Sequence, residues 1–247
     1  MTRKLYFFLT LIIIVIIGVA AFALINGGFK AQPNLQVTST VLSGKTGSVV
    51  TLNFEITNSG GDATGVVITA VSDAFGQGVT EKIAVQARQT VTVACEVTVN
   101  DVQSKDYPVT LTYTADGGVL GYVSGSVSGD LKFHVVPNLE LVSEWLHGSN
   151  VVGTYNYTML YVTLKSNTNH AVQNATVYTT VQAEVPNLVV NPSPYAALYV
   201  GPYQLSEKIG VAIATYSSPA GSYPVQLKVT VDDYEVTTEM LTLEVRG

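Results

Sequence analysis

Three histidines, one cysteine and a short acidic run are the residues of this chain whose types suit metal or nucleophilic chemistry. No two of His134, His147 and His170 lie at ligand spacing from one another or from Cys95, so a zinc site would have to be gathered by folding alone. Asp232-Asp233 with Glu235 offers the carboxylates that calcium favours, but calcium needs about six to eight oxygens. The run follows Lys228-Val-Thr-Val231, where a hairpin turn is due, and a turn is the reading adopted. Asp101, Asp106 and Asp116 are placed in loops for the same reason. Cys95 lies in Val91-Thr-Val-Ala-Cys-Glu-Val-Thr-Val99, where alternation puts it on the apolar face with Val91, Val93, Val97 and Val99, as a small buried hydrophobe. Gly-x-Ser-x-Gly, a phosphate loop and His-Glu-x-x-His do not occur. No catalytic residue, metal ligand or cofactor is therefore expected, and the chain reads as non-enzymatic.

Two other patterns carry site expectations. Asn156-Tyr-Thr158 and Asn174-Ala-Thr176 are N-glycosylation sequons, so Asn156 and Asn174 are the modification candidates of a glycoprotein. Tyr178, Tyr195, Tyr199 and Tyr203 gather in a stretch that also holds Pro186, Pro192, Pro194 and Pro202. Tyrosine beside proline on a loop suits protein or carbohydrate contact, and these four are the candidate contact surface.

The element that would place these residues is the first apolar run, Leu5–Ile25, which carries no charge. As a helix it is about 30 Å long, enough to cross the hydrocarbon. Arg3 and Lys4 precede it and the next basic residue is Lys30. The excess of positive charge on the N-terminal side predicts a cytoplasmic N-terminus and an exported remainder. With four residues before the run, no cytoplasmic domain is expected. Ala21-Phe22-Ala23 also fits a signal-peptidase site, so a cleaved leader stands as the alternative. A lipid anchor is not expected, because no cysteine follows the run closely.

Only 12% of residues are charged, and hydrophobic residues make up 47%, which excludes disorder. All 18 acidic residues follow the apolar run, against ten basic ones. That balance argues against nucleic acid and anionic lipid as partners. One cysteine allows no intramolecular disulfide, so each domain must be held by its core alone.

After a linker at Asn26–Pro33, the chain alternates with a period of two and shows no helical periodicity. Strands are predicted at 35–41, 48–57, 65–71, 82–85, 89–99, 107–114, 119–127 and 131–136, with turns at 58–62, 73–78 and 116–118. Then the pattern repeats. Pro33-Asn-Leu-Gln36 returns as Pro137-Asn-Leu-Glu140, and Leu52-Asn-Phe-Glu-Ile-Thr-Asn58 as Tyr161-Val-Thr-Leu-Lys-Ser-Asn167. Glu81-Lys-Ile-Ala-Val85 returns as Glu207-Lys-Ile-Gly-Val211, and Tyr107-Pro-Val-Thr-Leu-Thr112 as Tyr223-Pro-Val-Gln-Leu-Lys228. The order is kept and the spacing grows, which places insertions in the second copy around 178–203. About seven short strands per copy fit an immunoglobulin-like β-sandwich. The predicted fold is all-β: two tandem Ig-like antiparallel β-sandwiches, residues 31–135 and 136–247, preceded by one N-terminal transmembrane helix or signal segment within residues 1–30.

The Asn58-Ser-Gly-Gly-Asp62 turn between strands, the Glu-Lys-Ile strand and the Tyr-Pro-Val-x-Leu strand together resemble the CARDB-type (cell-adhesion-related) surface sandwiches of archaea and bacteria. The resemblance covers about residues 33–247. The second copy departs from it at Asn167-Thr-Asn-His170, which lacks the glycine pair. The resemblance implies adhesion or scaffolding at the cell surface and carries over no catalytic residue. The expected function is a membrane-anchored surface protein, single-pass, with extracellular domains. Its expected partners are other cell-surface or envelope proteins, or further copies of itself. The alternatives are a secreted filament or surface-lattice subunit released by cleavage near Ala23, and an accessory single-helix subunit of a membrane complex.

Overall fold

The structure, a computed structural model, describes residues 32–39, 43–117, 121–127, 131–182, 188–191 and 193–247. The apolar run Leu5–Ile25, and with it the expected anchor, lies outside the described residues. No described helix is long and apolar enough to cross a membrane.

The fold is all-β. The first half contains β1 (Leu35–Ser39), β2 (Ser43–Lys45), β3 (Val49–Asn58), β4 (Ala63–Ser72), β5 (Gly76–Val79), β6 (Ile83–Val85), β7 (Thr90–Thr98), β8 (Asp106–Pro108), β9 (Thr110–Gly117), β10 (Val123–Val127) and β11 (Lys132–Val136). The second contains β12 (Leu139–Trp145), β13 (Val151–Gly153), β14 (Asn156–Ser166), β15 (Val172–Val181), β16 (Leu188–Asn191), β17 (Tyr195–Val200), β18 (Ile209–Thr215), β19 (Gly221–Val231) and β20 (Tyr234–Arg246). Sheets are ordered β1-β3-β7, β10-β9-β4-β5 with β6 also on β4, and β2-β11-β8 in the first half. In the second they are β12-β14-β18-β16 and β13-β20-β19-β15-β17.

Alternation drives the packing. On β3 the side chains of Leu52, Phe54 and Ile56 point inward, as do Leu160, Val162 and Leu164 on β14, and all six are buried. One apolar cluster joins Leu35 to Val135, drawing on β1, β3 and β7 from one sheet and β4 and β9 from another. A second joins Val136 to Val245, with β14 and β18 facing β15, β17, β19 and β20. Each cluster lies between sheets, which is a sandwich arrangement.

The repeat is present in the strands, with two corrections. Pro33 and Pro137 lead into β1 and β12, and Tyr107 and Tyr223 stand in β8 and β19, as the motifs suggest. The Asn58 match is displaced by one residue. Leu35 pairs with Asn58 and Leu139 with Ser166, so Ser166, not Asn167, occupies the place of Asn58. A one-residue slip turns every side chain to the other face, and the burial of Leu160, Val162 and Leu164 fixes which alignment is right. The Glu-Lys-Ile match is not equivalent. Ile83 pairs with β4, whereas Ile209 pairs with Val162 of β14 in the opposite sheet. In place, β18 corresponds to β7, since each is the partner of the long second strand of its half.

Candidate functional site

Polar side chains converge where the two halves meet. The covalent link between β11 and β12 is only Pro137-Asn138. The Asp101 carboxylate, in the loop after β7, accepts the Asn169 N–H at 3.1 Å and the Tyr203 hydroxyl at 3.2 Å. His170 Nε2 lies 3.2 Å from the Asp101 carbonyl oxygen. The other contact is aromatic. The His134 ring of β11 stacks on Tyr234 of β20, centroids 3.7 Å apart and planes 5° off parallel. His134 is buried, its Nδ1 is 2.8 Å from Asp106 Oδ1, and its Nε2 has no partner among the described residues. Beside these contacts is a cavity of about 150 Å³ lined by Gln103, Ser104, the 171–174 segment and Asp232. The set can hold two bodies in one orientation. It pairs no nucleophile with a base, and the described residues contain no group of three His, Cys, Asp or Glu side chains placed for a metal ion.

The sequence-predicted residues are scattered over the fold. His147 is exposed in a short 3-10 turn, at φ 55°. Cys95 is buried on the inner face of β7 and free, and burial pushes its thiol up. Asp232 and Asp233 form the two-residue connection between β19 and β20, both at positive φ, 49° and 67°. That is the backbone of a type I′ hairpin turn, which Asp tolerates. The four tyrosines do not form one surface. Tyr178 and Tyr199 face outward from the five-stranded sheet, where Tyr178 borders a shallow groove with Gln226 and Lys228. Tyr195 donates to Glu207 at 3.2 Å, and that bond and the carboxylate charge push its phenol up. Tyr203 belongs to the junction, where loss of solvent and the Asp101 bond raise it.

Of the two sequon asparagines, Asn156 opens β14 exposed, and its Oδ1 accepts the Tyr157 N–H. Asn174 sits in a bulge of β15 at φ 56°. Gly65 sits in the matching bulge of β4 at φ 59°. Glycine, then asparagine, are the residues that adopt this conformation at least cost. The identity of Asn174 thus has a backbone cause beside the sequon.

Two features carry structure that the motif reading missed. Asn58 is fully buried and saturated. Its Nδ2 donates to the carbonyls of Gly61, Val85 and Gln86 at 2.7, 3.0 and 3.2 Å. Its Oδ1 accepts the N–H groups of Gly60 and Asn34 at 3.0 and 3.2 Å. Tyr107 and Tyr223 each donate a hydroxyl to the carbonyl four residues upstream, Gln103 at 3.0 Å and Pro219 at 2.8 Å. The repeated Tyr-Pro pair was the available signal for that corner. A polar residue at the end of an inward-facing row was the signal for Asn58.

No family model matches the chain, and neither does any curated protein. Solved structures with a similar course include red sea bream transglutaminase, at 12% identity over 88% of this chain and 31% of that one, TM-score 0.38. Escherichia coli alpha-2-macroglobulin activated by porcine elastase matches at 11% over 87% and 22%, TM-score 0.35. A DUF4785 family protein from Legionella pneumophila matches at 12% over 85% and 56%, TM-score 0.44. The chain spans 56% or less of each of these three.

Proposed function

We propose that the chain is a non-enzymatic surface protein that anchors, spaces and presents two Ig-like sandwiches outside the cell. The strand orders support the Ig-like part of the reading. β12-β14-β18-β16 facing β13-β20-β19-β15-β17 fills the places of strands A, B, E and D facing A′, G, F, C and C′, except that the chain reaches the D place (β16) before the C′ place (β17), the reverse of the immunoglobulin order. The first half follows the same plan with its last two strands broken and no described strand in the place of β16, and each half carries a tyrosine corner. The observation that carries the functional reading is the junction. Two residues of linker, the Asp101 bonds and the His134–Tyr234 stack favour a fixed spacer over two beads on a string. Adhesion or envelope scaffolding, by the CARDB resemblance, is the role such a spacer would serve. Leu5–Ile25 would hold it in the membrane.

Protease added outside intact cells tests this. The expected result is loss of the domains after about Asn26, with the N-terminal segment left in the membrane fraction. Full protection of the domains would overturn the export. Soluble protein beginning near Leu24 would keep the export and transfer the role to a secreted lattice or filament subunit.

A further inference from the structure

Among the described residues β7 closes one edge of its sheet and is paired only to β3. The ladder fixes which of its groups remain. At its ends the Val99 N–H donates to Ser48 and the Asn58 N–H to Gln89, so the odd-numbered residues of β7 face β3. Antiparallel pairing alternates, so the N–H and C=O groups of Thr90, Thr92, Ala94, Glu96 and Thr98 point away from it. All five residues are exposed, and no main-chain partner for them occurs among the described residues. Gly78 of β5 lies against Cys95 and Val97, but β5 takes its ladder from β4.

The second half provides a comparison inside the same chain. There β18, in the place of β7, is flanked by β16, with Leu188–Asn191 opposite Thr215–Ala212. Of the inward-facing residues of β18, Ile213 lies opposite that cover, and Ile209 and Val211 lie beyond it; all three are buried. On β7 Cys95 and Val97 are buried, and the inward-facing Val91 and Val93 at its other end stay half-buried. An added strand is what this position accepts, and the first half does not supply one from its own described residues.

We propose that the edge of β7 is an interface for a second copy of this chain, two β7 strands pairing antiparallel about a twofold axis at Ala94. The strand is self-complementary in that register. All nine residues overlap, and about ten main-chain hydrogen bonds form. Thr90 faces Thr98, Val91 faces Val97, and Val93 faces Cys95. Glu96, the one charged residue in the strand, meets the Thr92 hydroxyl of the other copy and not a second carboxylate. The edge has no proline, lysine or bulge, the usual devices that block such pairing. A pairing of like with like closes at two copies. The interface does not depend on which side of the membrane the domains occupy, so its test is separate from the topology experiment.

The test uses the full chain in detergent with Cys95→Ala. In the proposed register the Ala94 Cα atoms lie about 5.5 Å apart, within disulfide range. Under mild oxidation Ala94→Cys should give a disulfide dimer as the main product. Thr92→Cys and Glu96→Cys should each stay monomeric alone and cross-link when mixed. Thr112→Cys, on the other sheet, should not cross-link. In the otherwise unaltered chain, Ala94→Pro removes an outward N–H without breaking the β3 ladder. It should shift sedimentation from dimer to monomer while leaving thermal unfolding nearly unchanged. A wild-type chain monomeric at about 100 μM, far above the Kd expected of a stable dimer, would overturn the proposal. So would equal cross-linking at Ala94 and Thr112.

Discussion

Asn58→Ala is the sharpest test of how the first sandwich is held. The side chain contributes five hydrogen bonds to main-chain groups from three segments: the lead into β1, the turn after β3, and the end of β6. Asn34 and Gln86 are exposed, so water can replace what they lose. Gly61 and Val85 are buried, and their carbonyls would be orphaned at about 1–3 kcal/mol each. The expected loss is therefore about 4 kcal/mol, a large part of the 5–15 kcal/mol or so that holds a domain. For a sandwich of this size that lowers its melting by roughly 15–30 °C. Ser166→Ala, at the same place in the second half, should cost only about 1 kcal/mol, because its contacts with Thr168 are long, at 3.3–3.5 Å. Calorimetry on the detergent-solubilised chain reads both. Asn58→Asp separates hydrogen bonding from packing: it keeps the volume but points an oxygen at three carbonyls. A carboxyl so placed is held protonated in the fold, its pKa raised. Its contribution is then present at low pH and lost as pH rises, so N58D should regain stability on acidification while N58A should not. A loss below about 1 kcal/mol for N58A would refute the reasoning. An equal fall of both transitions would refute independent cores.

Two further outcomes follow from the same structure. Tyr107→Phe and Tyr223→Phe each delete one hydroxyl-to-carbonyl bond and should each cost about 1 kcal/mol, additively if the halves unfold independently; a double-mutant calorimetric comparison reads this. Cys95, buried on β7 with its thiol pushed up by desolvation, should react with a thiol reagent only as fast as the first sandwich opens. Because the folded thiol is raised above its unfolded value, the stability it contributes is full below the unfolded range and is lost as pH climbs through the folded one. Rapid native labelling at neutral pH would contradict this placement.

The period of two was legible because β3, β7, β14 and β18 turn every second residue inward, and that pattern survives in sequence whatever the partner strand. The strand boundaries followed: 48–57 became Val49–Asn58 and 89–99 became Thr90–Thr98. Partners and register are a different kind of information. Ile83 and Ile209 share a Glu-Lys-Ile context, yet they lie in opposing sheets, because three residues are too few to specify which neighbour a strand finds. A turn is expected at 73–78, yet Gly76–Val79 pairs with β4, the close approach to Cys95 and Val97 leaving no room for a side chain at Gly78.

The junction was illegible for a related reason. Asp101, Tyr203, His134 and Tyr234 come from four separate segments; His134 and Tyr203 stand out by type, but no spacing pairs them with Tyr234 and Asp101. Asp101 reads as a loop acid and Tyr203 as one more tyrosine beside a proline. Only the relative placement of two sandwiches gives Asp101 its two donors and puts the His134 ring on Tyr234. The open edge of β7 is the opposite case. Its nine residues are plain in sequence, but openness is a property of what fails to pair with them, and the covered β18 in the same chain makes that property visible. A local pattern identifies a strand; setting the two halves side by side shows that β18 has a second neighbour in β16 and that β7 has none among the described residues.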